Sequence, residues 1–239
     1  NMVEPAKVAA RISEHQTGEP LPHESAKLHV TGEALYTDDI GTPAGSLHAY
    51  VGVSQATHAR IKNLNLDAVR NAPGVVCVLT ASDIPGSSDI GPVYAGDPLI
   101  ASDTVEFRGQ ILFAVAAVSN KAARRAARLA EIEYEMLPAV LDSQTGHELE
   151  SYVRPMHCQR RGDAKAAIAE APMKLEGAFQ SGGQEQMYLE GQVSLAIPDE
   201  DGKMLVYSST QHPSEGQKLV AEVLNIPHSH VTVQVRRMG

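Results

Sequence analysis

The sequence has few cysteines and no long apolar run, and its acidic residues outnumber its basic ones. Its 239 residues include 2 Cys and carry a formal net charge of -9. An acidic chain lacks the clustered Lys and Arg that neutralise phosphates, so we do not expect a nucleic-acid partner. No apolar run approaches the roughly 20 residues of a membrane helix, and residues 1–10 lack the apolar stretch of a secretory signal. We therefore expect a cytoplasmic protein that does not enter membranes.

Neither cysteine lies in a metal-binding pattern. Cys77 lies in an apolar run of strand length, where a free cysteine usually serves as a small buried hydrophobic residue. Cys158 follows His157, but no CxxC or HxxxH spacing accompanies the pair. A structural zinc site needs about four such ligands. A loop position is therefore favoured for His157 and Cys158, with zinc binding as the open alternative.

Changes in composition divide the chain into four segments. Residues 1–26 mix charge, Pro and Gly without a period, which predicts an N-terminal arm. Residues 27–141 interleave strand and helix patterns, and residues 142–165 have the polar composition of a linker. Residues 166–239 combine helix and strand patterns again, with a sheet that looks incomplete. The predicted fold class is α+β.

Turn residues and hydrophobic periodicity place the elements of the first half. Asp67 is expected to cap a short helix, and Ser119 a longer helix that reaches about Ala130. A buried strand is expected around Cys77, and further strands at residues 47–53, 111–118 and 132–134.

The second half contains a predicted hairpin and a helix. A short helix is expected at residues 164–171, and a longer one begins at Pro213 and ends at Asn225 and Pro227. The strand patterns lie at residues 175–179, 188–197, 204–208 and 231–235. The second and third of these strands flank a turn at residues 198–202, which favours a hairpin.

A basic stripe lies on the helix that follows Ser119. Its members have helical spacing, so they share one face: Lys121, Arg124, Arg125 and Arg128. The stripe is either a site for an acidic partner surface or a solvated face. Runs of charge are usually solvated, which favours the second interpretation.

Three separated motifs carry a resemblance to a known family. They are Gly-Gly-Gln-Glu-Gln-Met-Tyr-Leu-Glu-Gly at 182–191, Ser-Thr-Gln-His-Pro at 209–213 and Val-Arg-Arg-Met-Gly at 235–239. In order and spacing they resemble the start of the molybdenum-cofactor-binding domain of the large subunit in the xanthine dehydrogenase, xanthine oxidase and aldehyde oxidase family. Earlier segments resemble the α/β hammerhead domain that precedes it in that family: residues 21–23, 32–40, 72–76 and 132–140.

The resemblance implies roles for particular residues. Gln211 matches the family glutamine that hydrogen-bonds an oxo ligand of molybdenum, so we expect it to bind the molybdopterin cofactor and to approach the metal only indirectly. A neutral amide suits this task because its NH₂ donates without adding charge beside the metal. From the residues alone, a capping or loop role is the favoured explanation of Gln211, and the matches on both sides of it reverse that preference. Gln184 is expected either to support the site indirectly or to be structural, Glu185 and Glu190 are expected to be structural, and His212 is not expected to be catalytic.

The resemblance also implies a reaction. It is hydroxylation of xanthine or hypoxanthine with water as the oxygen source, with electrons passing through Fe–S clusters and FAD to NAD. Those electron-transfer cofactors are expected on a partner subunit or domain, in an oligomeric enzyme. The family's catalytic acid follows the Arg-Met-Gly motif, so we expect a fragment that contains no catalytic residue and is inactive alone. The alternatives are a non-catalytic assembly module, an aldehyde oxidase, or an unrelated α+β protein.

Overall fold

A computed structural model describes Gly18 and residues 20–188 and 191–237 of the chain. Most of the predicted N-terminal arm lies outside the described residues. The same holds for Leu189 and Glu190 of the first motif and for Met238 and Gly239 of the last.

Helices and strands are interspersed along the described chain. The helices are α1 (Ala26–Thr31), α2 (Asp67–Arg70), α3 (Asn120–Ala127), α4 (Ser143–Glu148), α5 (Ala164–Glu170) and α6 (Pro213–Leu224). The strands are β1 (His48–Val53), β2 (Ala59–Asn65), β3 (Val75–Leu79), β4 (Thr104–Val105), β5 (Ile111–Ala117), β6 (Glu131–Met136), β7 (Ser194–Asp199), β8 (Lys203–Ser208) and β9 (Val231–Gln234). In the described part of the chain, no helix is both long and apolar enough to cross a bilayer.

The first half is built from two three-stranded sheets, in the strand orders β1-β5-β3 and β4-β2-β6. Strand β5 is central in its sheet, and its apolar residues are largely buried. Helix α3 packs on β1 and β5 through Ala123 and Ala126, whose small side chains allow close approach. The core is formed by Leu66, Val69, Val78, Ala101, Val105, Leu112, Phe113, Val115, Ala117, Ala123 and Ala126.

The second half has one sheet in the order β7-β8-β9. Strands β7 and β8 form the predicted antiparallel hairpin, and β9 pairs parallel to β8. Helix α6 makes the crossover between the two parallel strands and packs against β9. Pro213 occupies its first turn, and Asn225 ends it in the left-handed conformation at φ 54°. These start and stop signals are as predicted.

Two predicted strand features are wrong. Residues 175–179 form no strand, and their apolar side chains Leu175 and Phe179 are 104% and 93% exposed. Cys77 lies in β3 but is exposed rather than buried. Strand β3 is at an edge of its sheet, and the register shifts between Val75 and Cys77, so within this strand only Val78 is buried.

Several boundaries also differ from the sequence prediction. Ser119 caps α3 as expected, but the helix ends at Ala127 rather than near Ala130. Asp67 is the first residue of α2, and Leu66 takes the capping position. The strand expected from residue 188 begins at Ser194. Strands β2 and β4 were not predicted from the sequence. Helix α4 lies inside the segment that was predicted to be a linker.

The basic stripe on α3 is exposed along its length. The Arg124 guanidinium lies 5.6 Å from the centre of the Tyr50 ring. Among the described residues, no carboxylate forms an ion pair with any of the four cations. This arrangement agrees with a solvated face.

A loop between β3 and β4 is organised by the Asp89 carboxylate. It accepts hydrogen bonds from the backbone N–H groups of Gly91 at 2.9 Å, Gly96 at 2.6 Å and Asp97 at 3.3 Å. The bond from Gly91, followed by the one from Gly96, holds the pKa of Asp89 below its ordinary value of 3.8. The ionised carboxylate is therefore the form that stabilises this loop.

Phe113 and Gly52 are cross-strand partners in the first sheet. Phe113 is 1% exposed, and its ring occupies the space above Gly52, where an added Cβ would lie 2.0 Å from the ring. We expect Gly52→Ala to lower the free energy of unfolding by about 1–3 kcal/mol, because the confined ring has no room to move. Gly41→Ala is the control, since its Cβ would meet open space. Urea unfolding compares the two, and equal midpoints would contradict this packing.

The lowered pKa of Asp89 predicts how the loop depends on pH. A carboxylate whose folded pKa is depressed contributes stability above its ordinary pKa and loses it as pH falls through the folded value. The amide signals of Gly91 and Gly96 should therefore shift with a titration midpoint below 3.8, the ordinary pKa of the carboxyl. Asp89→Asn should shift both signals at neutral pH. A titration midpoint above 3.8 would contradict the carboxylate bonds.

Candidate functional site

A cleft of about 480 Å³ lies at the end of β8. Its lining combines amide and hydroxyl side chains and includes no charged residue: Gln186, Tyr188, Gln192, Val193, Ser194, Ser208, Ser209, Thr210 and Gln211. The first two belong to the Gly-Gly-Gln motif and the last three to the Ser-Thr-Gln motif. The fold thus brings two of the three sequence motifs together.

Strand direction explains why the third motif approaches the same edge. Tyr207 of β8 pairs in parallel with Gln234 of β9, so the carboxyl ends of both strands meet. Residues 209–211 leave one strand there, and residues 235–237 leave the other. Open α/β sheets bind ligands at such an edge, beyond the carboxyl ends of their strands.

Ser209 connects the two motifs that line the cleft. Its hydroxyl donates to the backbone carbonyl of Gly191 at 2.9 Å and accepts from the Val193 N–H at 3.1 Å. The Ser209 N–H donates to the Val193 carbonyl at 3.2 Å. These bonds extend the β7–β8 pairing by one step and hold the chain on both sides of the cleft.

The turn that carries Gln211 is formed by its neighbours. The Thr210 hydroxyl accepts from the His212 N–H at 3.1 Å, and His212 Nδ1 accepts from the Glu215 N–H at 3.2 Å. His212 is thus the N-cap of α6. The Gln211 side chain is exposed, and no other described residue forms a hydrogen bond with it. Its amide is free to meet a ligand in the cleft.

The Gly-Gly-Gln motif contributes different residues from those that the sequence suggested. Gln184 and Glu185 are exposed and do not line the cleft, so their expected roles stay predictions. Gln186 and Tyr188 do line it, although the sequence had not singled them out. Met187 between them has φ 48°, so side chains do not simply alternate along this segment. The predicted hairpin could have pointed to Ser194 as a lining residue, because the pairing of its two strands places Ser194 directly opposite Ser208.

The arginines after β9 add positive charge near this edge. The Arg236 guanidinium lies 5.9 Å from the centre of the Tyr207 ring. Arg237 Nε is buried and has no hydrogen-bond partner among the described residues. A buried donor without a partner is rare in folded proteins and calls for an acceptor.

The described residues form no cluster of His, Cys, Asp or Glu that could hold a metal ion. Cys158 Sγ instead accepts from Arg160 Nε at 3.2 Å, on an exposed segment. This contact agrees with a loop position for Cys158. The cleft offers neutral donors in place of metal ligands. Such a donor set suits an organic cofactor that brings its own metal ligands and needs orientation from the protein.

Both halves of the chain match known domain families. Residues 31–138 match the family described as aldehyde oxidase and xanthine dehydrogenase, a/b hammerhead domain. Residues 146–239 match the molybdopterin cofactor-binding domain. The chain belongs to the xanthine dehydrogenase and aldehyde oxidase family. The predicted order, a hammerhead domain followed by the start of a molybdenum-cofactor-binding domain, is confirmed.

Relatives in this family are much longer than the chain. The xanthine dehydrogenase/oxidase of Gallus gallus is 35% identical over 230 residues, which cover 96% of the chain and 17% of that protein. The xanthine dehydrogenase of Dictyostelium discoideum is 36% identical over 225 residues, or 94% of the chain and 16% of that protein. The chain therefore spans about a sixth of their length.

Solved structures of two oxidoreductases share the fold. The aldehyde oxidoreductase of Desulfovibrio gigas superposes with a TM-score of 0.78 at 24% identity, over 91% of this chain and 26% of that one. Quinoline 2-oxidoreductase of Pseudomonas putida 86 gives 0.75 at 25% identity, over 91% and 30% of the two chains. The mixed α and β architecture is thus that of the family.

The cap formed by His212 leads to a test of the turn beside Gln211. His212→Ala removes the acceptor for the Glu215 N–H and should lower the free energy of unfolding by about 1 kcal/mol. His212→Asn is the matched control, since Asn is a preferred N-cap and should retain most of that stability. Urea unfolding of the three proteins measures the difference. Equal losses in both variants would mean that the ring stabilises α6 by some contact other than the cap.

Proposed function

We propose that the protein containing these residues is a molybdenum hydroxylase that adds oxygen from water to a purine such as xanthine or hypoxanthine. The supporting observation is the uncharged cleft at the carboxyl ends of β8 and β9, where the family's sequence motifs converge. The Gln211 amide is exposed there and unengaged by other described residues.

The molybdenum cofactor, when bound, supplies the redox centre at which the substrate carbon is oxidised. The chain supplies hydrogen bonds and position. With the cofactor bound, the Gln211 side chain would donate a hydrogen bond from Nε2 toward the metal centre rather than serve as a ligand. Gln186 and Gln192 offer further amide donors and acceptors along the cleft. Arg237 Nε, a buried donor without a partner among the described residues, would be available to an anionic group of the cofactor.

The neutral state of Gln211 matters for this role. An amide donates through its NH₂ without changing the charge beside the metal, whereas a carboxylate only accepts and a lysine adds a positive charge. Donors aimed at developing negative charge stabilise it most when they are already in place before the reaction. The bonds around Ser209 and His212 hold the backbone on both sides of Gln211 for this purpose.

Electrons leave, in this proposal, through Fe–S clusters and FAD carried by a partner subunit or domain of an oligomeric cytoplasmic enzyme, with NAD as acceptor. The length of the relatives favours this arrangement, since the matched region is 17% of the Gallus gallus protein and leaves ample chain for other centres. The catalytic acid would also lie outside these residues, so we expect the 239-residue chain alone to be inactive.

A purine is favoured over an aldehyde as the substrate. The curated relatives at 34–37% identity are named xanthine dehydrogenase or xanthine dehydrogenase/oxidase. The aldehyde oxidoreductase of Desulfovibrio gigas matches at 24% identity and therefore bears on the fold alone. Steady-state assays of the full-length enzyme with xanthine, hypoxanthine and an aromatic aldehyde would decide between them, and turnover of the aldehyde alone would reject the purine.

Replacement of Gln211 tests its role. In the full-length enzyme, Gln211→Ala should lower kcat by about a hundredfold, the usual loss for one preorganised donor, and should leave KM and the unfolding midpoint nearly unchanged. Gln211→Glu is the size-matched variant. It retains the size of the side chain but cannot donate a hydrogen bond when ionised, so a similar loss of kcat is expected. Molybdenum content, measured by mass spectrometry, separates lost chemistry from lost cofactor. Unchanged kcat in both variants would return Gln211 to a loop role.

A further inference from the structure

The helix that begins beside Gln211 is held at its other end by the first half of the chain. An α-helix leaves its last four carbonyls without partners inside the helix. In α6 the Ala221 carbonyl accepts from the Ile226 N–H at 3.0 Å, and the Glu222 carbonyl accepts from Asn225 at 3.3 Å. This local cap leaves the carbonyl of Val223, the residue before the last of the helix, to a partner from elsewhere.

That partner is the loop after β3. The Gly86 N–H donates to the Val223 carbonyl at 3.0 Å, and the Ser87 N–H donates to the Glu222 carbonyl at 2.9 Å. Gly86 allows this approach because it has no side chain. A Cβ there would lie 2.0 Å from the Glu222 carbonyl oxygen and 2.9 Å from the Val223 oxygen.

The loop is held together by its own hydrogen bonds. The Ser87 hydroxyl donates to the Asp89 carbonyl at 3.1 Å, and the Asp89 carboxylate binds the amides of the following turn. The Leu99 N–H closes the loop on the Ser88 carbonyl at 2.8 Å. The donors at Gly86 and Ser87 are thus part of a hydrogen-bonded frame.

Helix α6 connects this loop to the cleft. Its 12 residues form a rod of about 18 Å. On its side, Gln217 Nε2 donates to the Val231 carbonyl at 2.7 Å and the His228 carbonyl at 3.2 Å, which ties the helix to the start of β9. Its N-terminal end carries the His212 cap and Gln211.

We propose that the Gly86–Ser87 loop of the hammerhead domain is a positioning element for Gln211, which acts by fixing helix α6 along its axis. This inference rests on the proposed function of Gln211. It gives the hammerhead domain a specific part in forming the cofactor cleft, through backbone groups of residues that lie far from that cleft in sequence.

A double-mutant cycle in the full-length enzyme tests the proposal. Gly86→Ala forces the loop away from α6 and should lower kcat by about ten- to a hundredfold, since a misplacement on the order of 1 Å can cost about a hundredfold. In a Gln211→Ala background the same change should cost less than about threefold, because the residue through which it acts is absent. Gly41→Ala, in open space on the same domain, should leave kcat unchanged.

The outcomes separate the two proposals. If Gln211→Ala lowers kcat and Gly86→Ala does not, or if the two losses multiply in the double variant, the positioning role is wrong while the proposed function stands. If Gln211→Ala has no effect, the proposed function itself fails. If the Gly86 variant does not fold, hydrogen exchange of the unmodified enzyme still tests the contact between the loop and α6. The Gly86 and Ser87 amides should exchange at least about tenfold more slowly than the exposed Gly41 amide, and equal rates would overturn the proposal.

Discussion

Parallel pairing of β8 with β9 is the constraint on which the cleft depends. A parallel pair requires a crossover, and here α6 provides it in 12 residues. The pairing brings both carboxyl ends to one edge, so the residues after β8 and those after β9 become neighbours. Without it, the Gln211 turn and the segment that carries Arg237 would have no reason to lie at the same edge of the sheet. The hairpin with β7 then adds the opposite wall through the bonds of Ser209.

The chemistry of the cleft follows from its lack of charge. Amide and hydroxyl side chains can donate or accept, so they orient a polar cofactor without altering the charge balance at a metal centre. The described residues offer no cluster of metal ligands, and a cofactor that carries its own sulfur ligands does not require one. The positive charge lies outside the lining, at Arg236 and Arg237.

The first half of the chain contributes stability and position. Its core closes around buried residues of β5, where Phe113 fills the space left by Gly52 on the neighbouring strand. From this half of the chain the Gly86–Ser87 loop reaches the end of α6. Two domains that the sequence treats as successive segments are therefore joined by backbone hydrogen bonds at the helix that carries the candidate site.

Much of what the sequence predicted correctly depends on interactions between residues that are close in sequence. The caps at Ser119 and Asn225, the start of α6 at Pro213 and the β7–β8 hairpin were correct because such signals act within a few residues. The motifs identified the family and pointed to Gln211. Only the tertiary structure decided that Cys77 is exposed, that residues 175–179 form no strand, and that Gln186 and Tyr188 line the cleft. Burial depends on the position of a strand in its sheet and on its register, which the order of side chains does not fix. The Gly86 contact uses backbone atoms that every residue possesses, so it leaves no pattern in the sequence.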